Sequence, residues 1–135
     1  MMMSSFQRQI LRVLVVDDHE LTRFTLKIAL SEQENFNLVG IASNGQEAMT
    51  MFKKYLPEVV ILDLQMPIMD GFTASEEMKR FAPSTQIIAY SSLESQQLDK
   101  NTSCIDAFCQ KEANTEVLIE LVNRLGQRAI NHKSA

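Results

Sequence analysis

Apolar and polar positions along this chain follow two rhythms. Arg12–Val16, Val59–Leu62 and Gln86–Tyr90 are short, nearly unbroken apolar runs rich in β-branched residues. Runs of that length without alternation read as strands buried on both faces, which is the mark of a parallel sheet. Asn37–Ala42 and Ala107–Gln110 read as two further short strands. Between the strands the rhythm lengthens to helical spacing. Leu21, Phe24 and Ile28, with Thr25 beside them, share one helical face. Asn44 begins a second helix, in which Glu47 stands where it closes a capping box. A third helix covers Phe72–Phe81 and is broken by Pro83-Ser84, and the polar stretch Glu94–Asn101 gives the weakest helical pattern. Asn114 caps a last helix, whose Val117, Leu118, Leu121, Val122 and Leu125 make one apolar stripe.

A βα unit repeated five times with short connections demands right-handed crossovers and a parallel sheet covered by helices on both sides. The 135 residues fit one domain, expected over 11–126, with an N-terminal extension at 1–10 and a polar tail or linker stub at 127–135. With 45% hydrophobic residues and only 4 Gly and 3 Pro, the chain can bury a proper core. No apolar run approaches the roughly 20 residues of a membrane span, and the Met1–Ser5 start has no secretory pattern. A cytoplasmic protein is therefore expected. A net charge of −4 gives no global field toward nucleic acid or anionic membrane. Cys104 and Cys109, without companion ligands, are expected to be reduced thiols used as small apolar residues.

In open parallel sheets the working site lies beyond the carboxyl ends of the strands. Strand one ends in Asp17-Asp18, strand three in Asp63, strand four in Ser91 and strand five runs into Lys111. Singly, each has an ordinary reading as a turn, a cap or solvated surface. Surface decoration, however, has no reason to select one edge of the sheet at four strand ends. Three clustered carboxylates repel one another unless a cation sits among them, and oxygen ligands favour a hard ion such as Mg²⁺. Mg²⁺ and the Lys111 ammonium balance three carboxylates, and both become more useful once Asp63 carries a phosphoryl group. A carboxylate nucleophile on phosphorus is known chemistry, with the cations stabilising the transition state.

Val-Val-Asp17-Asp18, Asp63-Leu-Gln-Met-Pro67-Ile-Met-Asp70-Gly71, Ser91-Ser92 and Phe108-Cys-Gln-Lys111 resemble the response-regulator receiver domains of two-component signalling. The resemblance runs from about Leu11 to Leu125. It implies a single doubly wound, flavodoxin-like α/β sheet of five strands in the order 2-1-3-4-5 with five helices. Asp63 would be the phosphorylated aspartate. Asp18, Asp63 and the Gln65 backbone carbonyl would hold Mg²⁺ (or Mn²⁺), with Asp17 acting mainly through water. Lys111 would pair with the phosphoryl oxygens, Ser91 would swing its hydroxyl to them, and Phe108 would follow inward. Pro67 and Gly71 would shape the loop after Asp63. The switching surface would be the fourth helix, fifth strand and fifth helix. The implied partners are a histidine kinase or phosphotransfer protein, and a second copy of the chain on phosphorylation. Neither nucleic acid nor membrane contact is expected of this domain, nor turnover of a separate substrate.

The chain departs from the commonest family pattern at three places. Ser92 stands where Ala or Gly is usual, which predicts slow loss of phosphate. Glu112 follows Lys111 in place of Pro, so a trans peptide is expected there. Phe108 replaces the common Tyr. The opening Asp17-Asp18-His19-Glu20-Leu21 resembles the NarL/FixJ-type branch, whose members usually carry a C-terminal helix-turn-helix domain. None lies within these residues, so the chain reads as the input domain of a transcriptional regulator or as a stand-alone receiver. His19 and His132 are expected to be exposed and without a role, and Tyr90 and Met66 to be packing residues. Three rivals carry less. A Mg²⁺-dependent aspartyl-phosphate phosphatase of the haloacid-dehalogenase type needs an acid at Gln65. A flavodoxin-like cofactor binder would meet repulsion from Asp17-Asp18. A non-phosphorylated interaction module leaves the intact acidic set unexplained.

Overall fold

The computed structural model describes residues 9–66, 69–92 and 103–134. Its strands are β1 (Leu11–Val16), β2 (Phe36–Ala42), β3 (Val59–Leu62), β4 (Gln86–Ser91) and β5 (Ala107–Gln110). They pair in parallel in the order β2-β1-β3-β4-β5, as expected. The helices among the described residues are α1 (Glu20–Ser31), α2 (Gly45–Tyr55), α3 (Gly71–Phe81) and α4 (Thr115–Ser134). The helix expected over 94–101 lies outside the described residues. No cis peptide occurs among them, the Lys111–Glu112 bond included.

The apolar strands are unbroken because both faces of the sheet are covered. Leu14, Val16, Val60, Leu62, Ile87 and Ala89 pack on one side with Phe52 of α2 and Met78 of α3. Val13, Val15, Val59, Ile61, Ile88 and Tyr90 pack on the other with Leu26 and Leu30 of α1 and Leu118 and Val122 of α4. Tyr90 and Met66 are buried, as expected of packing residues, and both cysteines are free.

Two readings change. The Leu21–Phe24–Ile28 face of α1 points to solvent, with these side chains 74%, 60% and 48% exposed, and the buried face is Leu26 and Leu30. Both stripes are apolar at helical spacing, so only the fit against the sheet selects between them. The segment 127–135, read as a polar tail, is helical through Ser134. Ala129 is buried there and Ile130 packs against the α1–α4 side of the core. Gly126 permits this, because a Cβ at that position would lie 2.4 Å from a Leu11 methyl carbon.

Candidate functional site

The carboxyl edge of the sheet is assembled by the last rungs of its ladders. Asp17 N–H donates to Ala42 (3.0 Å), Asp63 N–H to Val16 (2.9 Å) and Lys111 N–H to the Ser91 carbonyl (3.2 Å). These bonds fix where each chain leaves the sheet, and so bring Asp17, Asp63 and Lys111 to one place. Lys111 Nζ lies 2.8 Å from Asp17 Oδ2 and 3.5 Å from Asp63 Oδ2. Asp17 and Asp63 are buried, whereas the Asp18 side chain keeps 29% of its surface exposed. Ser91 is buried at the end of β4 and pairs in register with Gln110, while Phe108 is 44% exposed on β5.

The loop after Asp63 is held by two features. Gln65 N–H donates to Asp63 Oδ1 (3.0 Å), and Gly71 N–H donates to the Leu64 carbonyl (3.2 Å). A Cβ on Gly71 would stand 2.4 Å from the Asp63 carbonyl oxygen, so only glycine allows α3 to begin this close. Asp70 caps α3 by accepting from Thr73 N–H (2.8 Å). Pro67 lies outside the described residues.

Burial pushes the Asp63 carboxyl above its ordinary range. The Gln65 N–H and Lys111 oppose that rise, while Asp17 and Asp18 add to it. One oxygen of Asp18 is buried without a hydrogen-bond partner among the described residues. Asp17, Asp18, His19 and Asp63 each direct one ligand atom into a region where all lie within 4.8 Å of one another. Oxygen donors of this kind with one orphaned buried oxygen fit a hard divalent cation, so the set can hold a metal.

Two residues had been given no part in the site. Arg23 Nη1 donates to the Asp17 carbonyl (2.8 Å) and so braces the turn that carries the acidic pair. His19, expected to be uninvolved, puts Nδ1 2.9 Å from Asp17 Oδ1, 3.1 Å from Asp18 Oδ1 and 3.6 Å from Asp63 Oδ2. Its backbone N–H is captured by the same Asp17 oxygen at 2.8 Å. An Asp two residues ahead of the residue that caps the helix, able to close such a turn, was the one signal available for it.

The response regulator receiver domain family matches residues 13–123. The chemotaxis protein CheY of Halobacterium salinarum is 42% identical over 82 residues, 61% of this chain and 67% of that protein. A protein-glutamate methylesterase/protein-glutamine glutaminase of Hahella chejuensis is 45% identical over 83 residues, 62% of this chain but only 21% of that protein. The chain thus spans about a fifth of that relative's length. The receiver domain of a putative response regulator NarL from Mycobacterium tuberculosis superposes with a TM-score of 0.82 at 28% identity, covering 89% of this chain and 98% of that one. A motif match across nearly the whole sheet and the same strand order agree, and the chain belongs to the response regulator receiver domain family.

Proposed function

We propose that Asp63 accepts a phosphoryl group from a phosphohistidine of a histidine kinase or phosphotransfer protein. The observation that carries this reading is the Asp63 carboxylate, buried between Lys111 and the Asp17-Asp18 pair with its Oδ1 fixed by the Gln65 N–H. In the transfer an Asp63 oxygen forms a bond to phosphorus as the phosphorus–nitrogen bond breaks, and the donor imidazole leaves and takes up a proton. Lys111 moves from pairing with carboxylates to pairing with the phosphoryl oxygens. Asp18, Asp63 and the Gln65 carbonyl would hold Mg²⁺, with Asp17 acting through water, and the cation supplies charge neutralisation for the transferring group. The Thermotoga maritima response regulator TrrA, 30% identical, is known as a complex with Mg²⁺–BeF, which supports the same assignment here.

The output is a two-state equilibrium at the far side of β4 and β5. A hydrogen bond from Ser91 to a charged acceptor is worth roughly 1.5–3 kcal/mol, which shifts such an equilibrium by roughly 10- to 150-fold. Phe108, now 44% exposed, gains burial by turning inward, and the face formed by β5 and α4 changes with it. Incubation with acetyl phosphate and Mg²⁺ is expected to add one phosphate, at Asp63. An Asp63→Asn protein that gained the same single phosphate would sink the assignment.

A further inference from the structure

Among the described residues, His19 is the one nitrogen ligand in a cluster otherwise built from carboxylate oxygens. Its ring is 61% exposed, yet Nδ1 faces inward, against Asp17, Asp18, Asp63 and, at 3.4 Å, the Lys111 ammonium. A single ring nitrogen carries at most one proton, so it cannot donate to three acidic oxygens at once. The 3.1 Å approach to Asp18 lacks hydrogen-bond geometry, and that Asp18 oxygen has no other hydrogen-bond partner among the described residues. In the neutral tautomer protonated on Nε2, the Nδ1 lone pair faces the three carboxylates. Cis ligands around an octahedral ion with bonds near 2.1 Å stand about 3.0 Å apart. Of the two carboxylates that would bind the ion directly, Asp18 stands at that spacing from Nδ1 (3.1 Å) and Asp63 about half an ångström beyond it (3.6 Å), while the 2.9 Å contact to Asp17 is a hydrogen bond.

We propose that His19 is itself a metal ligand in this chain, and that its imidazole biases the site from Mg²⁺ toward first-row ions such as Mn²⁺ and Co²⁺. Mg²⁺ prefers oxygen donors, whereas imidazole suits the later ions, whose affinity for a site with nitrogen rises along the series from Mn²⁺. The inference rests on the metal-dependent reading of Asp63 given above and adds the identity of the ion.

The test is a comparison of the tag-free chain with His19→Asn, measuring Mg²⁺, Mn²⁺ and Co²⁺ dissociation constants by calorimetry. Pulsed electron paramagnetic resonance of the Mn²⁺-loaded protein reads directly bonded nitrogen. His19→Asn is expected to weaken Co²⁺ binding at least about ten-fold, the lower end of what even an outer-shell change costs. It should shift Mg²⁺ binding far less and abolish the nitrogen coupling. His132→Asn, which changes the other histidine of the sequence, should leave all of these as in the wild type. Unchanged Co²⁺ affinity and nitrogen coupling in His19→Asn, with Mg²⁺ still bound, overturn the role of His19 alone. A wild-type chain that bound none of the three ions would overturn the metal reading of Asp63 together with this inference.

Discussion

At the amino edge of the sheet Arg12 and Glu58 meet with the guanidinium and backbone N–H of Arg12 both on one carboxylate, at 2.7–3.3 Å. The remaining Arg12 nitrogen donates to the Tyr55 carbonyl (2.9 Å). Nearby, Lys79 pairs with Asp106 at 2.8 Å while the same carboxylate oxygen accepts from Ile87 N–H at 2.7 Å. At the carboxyl edge, among the described residues, three carboxylates share one ammonium and one imidazole, and an Asp18 oxygen is left without a hydrogen bond. Both edges bury acidic groups. One matches each with its own cation and backbone donors, and the other leaves negative charge in excess. Charges matched in this way hold strands in place, whereas charge in excess raises the pKa of a buried carboxyl and makes the cluster one that could hold a cation.

The largest expected effect breaks the matched edge. Arg12→Ala leaves Glu58, 5% exposed, without its guanidinium. Losing one partner of a buried pair costs roughly 3–5 kcal/mol. Arg12 is 39% exposed on its side chain, so a loss of about 2–3 kcal/mol is expected here. Urea unfolding measures it, and a variant within experimental error of the wild type would erase the distinction between the edges.

The same measurement at the carboxyl edge should change sign. A carboxyl whose folded pKa stands above its unfolded value opposes folding once it ionises. That opposition is absent in acid, sets in as pH rises through the unfolded pKa, and is complete above the folded one. Asp63 is such a group, raised first by burial. In metal-free buffer at neutral pH Asp63→Asn should therefore stabilise the fold by about 1 kcal/mol, at the low end for removing poorly compensated buried charge. The gain should fade as pH falls into the carboxyl range. Mg²⁺ at ten times its dissociation constant should return about 1.4 kcal/mol to the wild type and much less to the variant. A neutral-pH, metal-free Asp63→Asn protein less stable than wild type contradicts the comparison.

The contrast between the edges was half legible in the sequence. The residues at the carboxyl edge could be read because strands buried on both faces stay apolar until they leave the sheet, so Asp17, Asp63 and Lys111 mark the exits. Glu47 closes its cap slightly differently from the expected box. Asn44 accepts from Glu47 N–H, but the Glu47 carboxylate takes the Ser43 N–H and hydroxyl. The matched edge had no such mark, since Arg12 and Glu58 are 46 residues apart and meet only through the β1–β3 register. Which face of α1 is buried was not legible, because Leu21, Phe24 and Ile28 and the pair Leu26 and Leu30 are equally apolar stripes. The helical continuation past Gly126 did leave a trace, in Ala129 four residues after Leu125, but polar neighbours outweighed it.

A smaller change sharpens the matched edge further. Lys79 Nζ bonds both Asp106 (2.8 Å) and the Thr85 carbonyl (2.7 Å), tying the end of α3 to the ends of β4 and β5. Lys79→Met keeps the aliphatic stem and removes the charge. Asp106 retains Ile87 N–H, so a loss of about 1 kcal/mol is expected, below that of Arg12→Ala. Thermal unfolding reads it, and a loss equal to or above that of Arg12→Ala would reverse the ranking.

The finest test lies at the mouth of the carboxyl edge, where one hydroxyl separates this chain from the commoner pattern. Ser92 is exposed and directly follows the buried Ser91, and its hydroxyl is expected to narrow the path by which water reaches a phosphorylated Asp63. Ser92→Ala removes that bulk without touching the core, and stability should stay within about 0.5 kcal/mol. The phosphorylated protein should lose its phosphate roughly two- to five-fold faster, a barrier change of under about 1 kcal/mol. Following radiolabelled phosphate on the protein in excess Mg²⁺ gives the rate directly. An unchanged rate would mean that the charge around Asp63, rather than access past Ser92, sets the lifetime of the phosphorylated state. Lys111 and the bound cation would then control both the making and the loss of the acyl phosphate.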